Sequence, residues 1–112
     1  MKPFLKLTCI ALVVILAGVH IQSCTKPAKG TAMFWCSNPN YSPHPVIAIQ
    51  GINGTQTITQ IYSSQPDCSA TGCAVFSLDP GTYYWSVRVG NFAGPGGSVY
   101  VASNNCSATQ IQ

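Results

Sequence analysis

Acid groups are almost missing from this chain. Its 112 residues include two aspartates, Asp67 and Asp79, and no glutamate. His20 falls in an apolar N-terminal stretch, which leaves His44, between Pro43 and Pro45, as the one histidine of the remainder. No pair of carboxylates is on hand for acid–base work, and a serine nucleophile would have only His44 as base and the two aspartates to orient it. Neither a C-x2-C spacing nor a paired histidine offers metal ligands. A phosphate-cradling G-x-x-x-x-G-K pattern is also missing, and GPGG at 94–97 reads as a loop. From this inventory the chain is expected not to be an enzyme and to use no metal ion or other cofactor. Charge of either sign is scarce. Beyond residue 24, Lys26, Lys29 and Arg88 stand against Asp67 and Asp79, a net charge of +1. With no basic patch, nucleic acid is not an expected partner, and the surface has to be built from Ser, Thr, Asn, Gln and Tyr. Helical periodicity and internal repeats are absent beyond residue 24 as well.

What is present begins with a leader. Lys2 and Lys6 precede an apolar run, Leu7 to Val19, shorter than the roughly 20 residues of a membrane span and of signal-peptide length. The run ends in Ile21-Gln22-Ser23-Cys24. That ending resembles a bacterial lipobox, with an aliphatic residue three before the cysteine and a small residue just before it; Gln22 stands where a small residue is usual. The resemblance implies a lipoprotein signal peptide cleaved after Ser23, lipidation of Cys24 by a diacylglycerol and an amide-linked acyl chain such as palmitate, and membrane attachment through that lipid. Several acyl chains hold where one alone anchors marginally. An ordinary secretory cleavage and an uncleaved anchor are the alternatives. The expected division is a signal peptide at 1–23, a lipidated tether at 24–30 and a folded domain at 31–112.

With Cys9 in the leader and Cys24 assigned to lipid, Cys36, Cys68, Cys73 and Cys106 remain, an even number that suits an oxidising compartment. Three pairings are possible. The favoured one joins Cys68 to Cys73 across a short loop and Cys36 to Cys106, tying the first strand to the last; zinc binding by the four is the sharper alternative, without spacing to support it.

The densest core material is Cys73 to Val89. Ala74, Phe76 and Leu78 alternate, then Tyr83, Trp85, Val87 and Val89 alternate, with Asp79-Pro80-Gly81-Thr82 between them in the residue order of a type II turn. This predicts a central hairpin whose Trp85 points into the core. Further strands are expected at 31–37, 46–52 and 55–63, the latter two joined by a tight turn at Asn53-Gly54. A sixth is marked by Val99 and Val101, and a seventh runs 106–112. Residues 38–45, 64–72 and 91–97 read as loops, rich in Pro, Gly and small polar residues. The fold class expected is all-β, an antiparallel β-sandwich of about seven short strands.

Leu78-Asp79-Pro80-Gly81-Thr82-Tyr83 resembles two families. Fibronectin type III domains, which are immunoglobulin-like, carry a similar L-x-P-G-T before a strand tyrosine, and Asn91 and Gly94 match later positions. The apolar series running from Tyr83 rather than Tyr84 is more similar to carboxypeptidase-regulatory-like and PEGA-like domains, small transthyretin-like sandwiches that serve as accessory modules. FWCSNPN, the Asn-Gly turn, the C-x4-C loop and GTYYW together resemble small lipoproteins of diderm bacteria. The resemblance implies an exported, lipid-anchored sandwich of the cell envelope, at the outer membrane on its periplasmic side or at the surface. Such a module is expected to bind or to build, with an envelope protein or a glycan as partner; a carbohydrate-binding accessory lipoprotein is the alternative. Tyr41, Tyr62, Tyr84, Phe92 and Tyr100 fall on loops or opposite the core positions. Tyr41, Phe92, Tyr62 and Tyr84 are the possible binding residues, since exposed aromatics stack on sugars or anchor a protein partner. Of these, Tyr41 and Phe92 carry the expectation that function lies in loops.

Overall fold

A computed structural model describes residues 26–41 and 43–112. The expected signal peptide and the lipidation site Cys24 lie outside them. The described residues form seven strands and no helix, in two facing sheets. In order they are β1 (Gly30–Cys36), β2 (Val46–Ile49), β3 (Thr55–Thr57), β4 (Ala74–Leu78), β5 (Gly81–Val89), β6 (Phe92–Val101) and β7 (Cys106–Ile111). One sheet has the order β4-β1-β7 and the other β3-β2-β5-β6. Every pairing is antiparallel except that of β1 with β7, which is parallel and runs from Thr31 opposite Cys106 to Cys36 opposite Ile111.

The core between the sheets is built by alternation. Ala32, Phe34 and Cys36 of β1 and Ala74, Phe76 and Leu78 of β4 face Ile47 and Ile49 of β2, Val87 of β5 and Val99 and Val101 of β6. Phe34 is fully buried and bridges the sheets. Its ring meets Phe76 edge-on at 6.0 Å within its own sheet and Trp85 of the other at 5.4 Å. Trp85 therefore points inward, as its spacing predicts. Burying one such side chain stabilises a domain by about 1.5–3 kcal/mol.

β1 is apolar on both faces because both are covered, as in a central strand with a layer on each side. Met33 and Trp35 point away from the inter-sheet core yet are buried. Residues 58–73 cross over that outer face. The amide of Ser69 reaches Met33 Sδ at 3.2 Å, and the amide of Tyr62 donates to the Cys36 carbonyl at 3.1 Å. The strand expected at 55–63 accordingly stops at Thr57; the Ile58 amide still bonds the Pro45 carbonyl and its side chain enters the inter-sheet core, after which the chain leaves to cover the other sheet.

Two further expectations are corrected. Residues 73–78 and 82–90 form no hairpin, because β4 and β5 belong to different sheets. Asp79-Pro80 is an arch between the layers, and Gly81 already pairs with Val101. The Tyr83 hydroxyl donates to the Asp79 carbonyl at 2.6 Å and holds the arch, the bond by which a tyrosine braces a sandwich corner. Residues 91–97 are no loop either. Residues 92–97 are the first part of β6, a ten-residue edge strand that makes a true hairpin with β5 through Gly90 and Asn91. Between the pairs Ser86/Gly96 and Arg88/Ala93, one residue of β5 opposes two of β6, Gly94 and Pro95. Proline is tolerated there because an edge strand and a bulge both leave an amide unneeded.

Candidate functional site

The cysteines come first, since they fix which segments can move. Among the described residues the bridge is Cys68–Cys106, with a Cα–Cα separation of 6.2 Å, while Cys36 and Cys73 are free thiols. Both expected pairings, Cys36 with Cys106 and Cys68 with Cys73, are therefore wrong. The register shows why. Cys106 stands opposite Thr31 at the start of β1 and Cys36 at its end, five positions on. That is roughly 16 Å of strand, beyond the ~7 Å that a disulfide spans. The two also occupy opposite faces, Cys36 with Phe34 in the core and Cys106 with Thr31 outside. Cys68 rides on the segment that crosses this outer face, so Cys106 is its natural partner. Cys73, just before β4, is half-buried, and burial pushes its thiol pKa up.

The candidate acid–base groups are dispersed. His44 is exposed on the connection before β2, Asp67 is exposed on the crossing segment, and Asp79 sits at the β4–β5 arch. Among the described residues no three of His, Cys, Asp and Glu come together as a metal site. A cleft formed by Tyr62, Gln65, Pro66, Asp67 and Ala70 is a hollow of the crossing segment itself.

The aromatic candidates separate into two groups. Tyr41 packs against the core, and its hydroxyl donates to the Gln112 carbonyl, so it ties the 37–45 connection to the chain end. Tyr62 is half-buried, and its hydroxyl donates to the Thr71 carbonyl at 2.5 Å, which closes the crossing segment. These two are structural ties. Tyr84, Phe92 and Tyr100 are 60%, 77% and 64% exposed. Phe92 opens β6 at the tip of the β5–β6 hairpin, on a strand rather than a loop.

Tyr84 and Tyr100 share one surface, the outer face of the four-stranded sheet. Tyr84 pairs with Ser98, and Tyr100 with Thr82. The two tyrosines are thus diagonal neighbours, at the roughly 7–8 Å spacing of such positions. Around them the same face presents Thr82, Ser86 and Ser98, with Gly96 opposite Ser86 and Arg88 beyond. Gln50 adjoins on the β2 side, its amide donating to the Tyr84 carbonyl at 2.9 Å. The backbone beneath Tyr100 is held by the Ser107 hydroxyl, which donates to the Tyr100 carbonyl at 2.6 Å. The face is uncharged but for Arg88 and offers two rings amid hydroxyl and amide groups. Sequence reasoning picked out Tyr84 for binding without Tyr100 beside it. The signal was there in Tyr100 standing between the core valines Val99 and Val101.

The tether also takes a place. Lys29 Nζ lies 3.4 Å and Lys26 Nζ 4.0 Å from the Asp79 carboxylate. The Ser103 hydroxyl donates to the Ala28 carbonyl at 2.8 Å, and the Asn104 amide to the Lys29 carbonyl at 3.1 Å. No protein-family model and no curated protein matches the chain.

Proposed function

We propose that the chain is an exported lipoprotein of the bacterial envelope, anchored through Cys24, that acts as a binding module. Its working surface is the outer face of the four-stranded sheet. The observation that carries this is the exposure of Tyr84 and Tyr100 side by side. The other tyrosines of the domain are spent on core contacts or backbone bonds, while these two lie open on the sheet. The leader and its lipobox-like end support export and anchoring. The scatter of His44, Asp67 and Asp79 supports binding over catalysis.

A second reading, that the ligand is a carbohydrate chain and the protein an accessory lipoprotein beside envelope enzymes, is favoured by the chemistry of this face. Rings at diagonal spacing among neutral hydroxyls suit sugar stacking with hydrogen bonds at the rim. The test is the double variant Tyr84→Ala, Tyr100→Ala, checked for wild-type folding. Co-sedimentation with purified envelope polysaccharides, lost in the variant, supports the carbohydrate reading. Capture of a defined envelope protein, lost in the variant, supports a protein partner. Binding unchanged by the double variant would remove this face from consideration.

A further inference from the structure

We propose that the tether is a docked strut rather than a flexible spacer, and that it seats the end of the sandwich formed by the β4–β5 arch and the β6–β7 turn on the phospholipid surface. This rests on the reading that Cys24 carries lipid. A Lys- and Pro-containing polar stretch of this length reads as a spacer, but the described part of it, 26–29, lies along the domain. Its two lysines converge on Asp79 of the arch, and its carbonyls at 28 and 29 accept bonds from Ser103 and Asn104 of the turn. Gly30, where β1 begins, is pressed so closely against the Ala102 carbonyl and Val101 that no side chain fits. The Thr31 amide then donates to the Asn105 carbonyl at 2.8 Å. Six contacts, made by Lys26, Ala28, Lys29, Gly30 and Thr31, thus lock the chain's entry between arch and turn.

Only Thr25 separates Lys26 from Cys24. Two residues reach about 7 Å at full extension. A lipid on Cys24 therefore leaves no slack for the arch and turn to swing away from the headgroups. The chemistry of this end suits a phospholipid surface. The Lys26 and Lys29 side chains are 75% and 58% exposed beside the more sheltered Asp79. Pro80, Ser103, Asn104 and Asn105 around them add no charge, so the end is mildly cationic and polar, as attraction to anionic headgroups requires. β5 then rises from this end for nine residues, about 30 Å, and holds the Gly90–Phe92 tip away from the membrane.

The test uses the full chain, processed in a bacterial host and purified with its acyl groups, in lipid nanodiscs containing a gadolinium-bearing headgroup. Amide signals of Gly81, Ser103, Asn104 and Asn105 are expected to broaden beyond detection while those of Asn91, Phe92 and Ala93 stay sharp. A flexible Gly-Ser insertion after Thr25, which leaves the sandwich untouched, is expected to erase that contrast. Uniform broadening in an acylated wild-type protein overturns this inference alone. A mass showing no acyl group on Cys24 overturns the anchoring reading, and this inference with it.

Discussion

Removing the Cys68–Cys106 bridge is the sharpest test of how the domain is tied together. The bridge closes a loop with a sequence separation of 38. On the chain-entropy account, cutting a loop of that length costs about 4 kcal/mol. Domains of this size are stable by about 5–15 kcal/mol, so the bridge is a substantial share. At about 4–8 °C per kcal/mol for a small domain, Cys106→Ser or Cys68→Ser should lower Tm by roughly 15–30 °C. The loss is also local. The 58–73 segment would be released from Met33 and Trp35, which the inter-sheet core does not cover. Cys73→Ser should move Tm little, because Cys73 closes no loop. Thermal melts of the three variants, with peptide mass mapping under non-reducing conditions, decide the matter. A Cys68–Cys73 or Cys36–Cys106 peptide, or a Cys73→Ser protein as unstable as Cys106→Ser, would refute both the pairing and the register argument behind it.

Trp85→Ala removes the ring that meets Phe34 across the sandwich and should cost about 3–5 kcal/mol in chemical denaturation. Trp85→Phe should cost markedly less, because the buried indole N–H has no partner to lose. Phe92→Ala should stay within about 0.5 kcal/mol, whereas Tyr41→Phe should lose about 0.5–1.5 kcal/mol with its bond to Gln112, both read from the same denaturation curves. The Cys73 thiol is raised in the fold by burial, so its contribution to stability is present below the unfolded thiol pKa and fades as pH rises through the folded one. Alkylation of Cys73 should accordingly need a higher pH in the native protein than in denaturant. Cys24→Ala should abolish fatty-acid labelling; label retained by the variant would show that the lipobox reading is wrong.

The all-β fold is legible, with an expected strand overlapping each of the seven observed, and period-two alternation marks β4, β5 and the end of β6, because one face of each must meet the core. The partnering of strands is not. Asp79-Pro80-Gly81-Thr82 has the residues of a turn whether the flanking strands pair or part, and local chemistry cannot distinguish a hairpin from an arch between sheets. The cysteine pairing failed for the same reason. It depends on which strand lies parallel to β1 and in what register, a long-range fact that puts Cys36 and Cys106 at opposite ends of neighbouring strands.

Residues 91–97 were misread by a different route, one that bears on the candidate site. Glycine and proline weaken a strand, so NFAGPGG carries every local sign of a loop. Its glycines instead answer to the neighbouring strand. A side chain at Gly97 would start 3.0 Å from Trp85 Cζ2, and one at Gly94 would start 3.3 Å from the Val87 side chain. The bulky inward residues of β5 thus lean over a β6 stripped of side chains, and the bulge at Gly94-Pro95 absorbs the mismatch in length. Further along, β6 regains alternation at Ser98-Val99-Tyr100-Val101, with the valines inward. Tyr100 is thereby turned outward beside Tyr84 on the exposed face of the sheet, whose edge strand among the described residues is β6. The open aromatic face and the glycine-rich edge are therefore two results of one arrangement. A substitution that restores a side chain at Gly97 should disturb the tyrosine pair through Trp85, without touching either tyrosine.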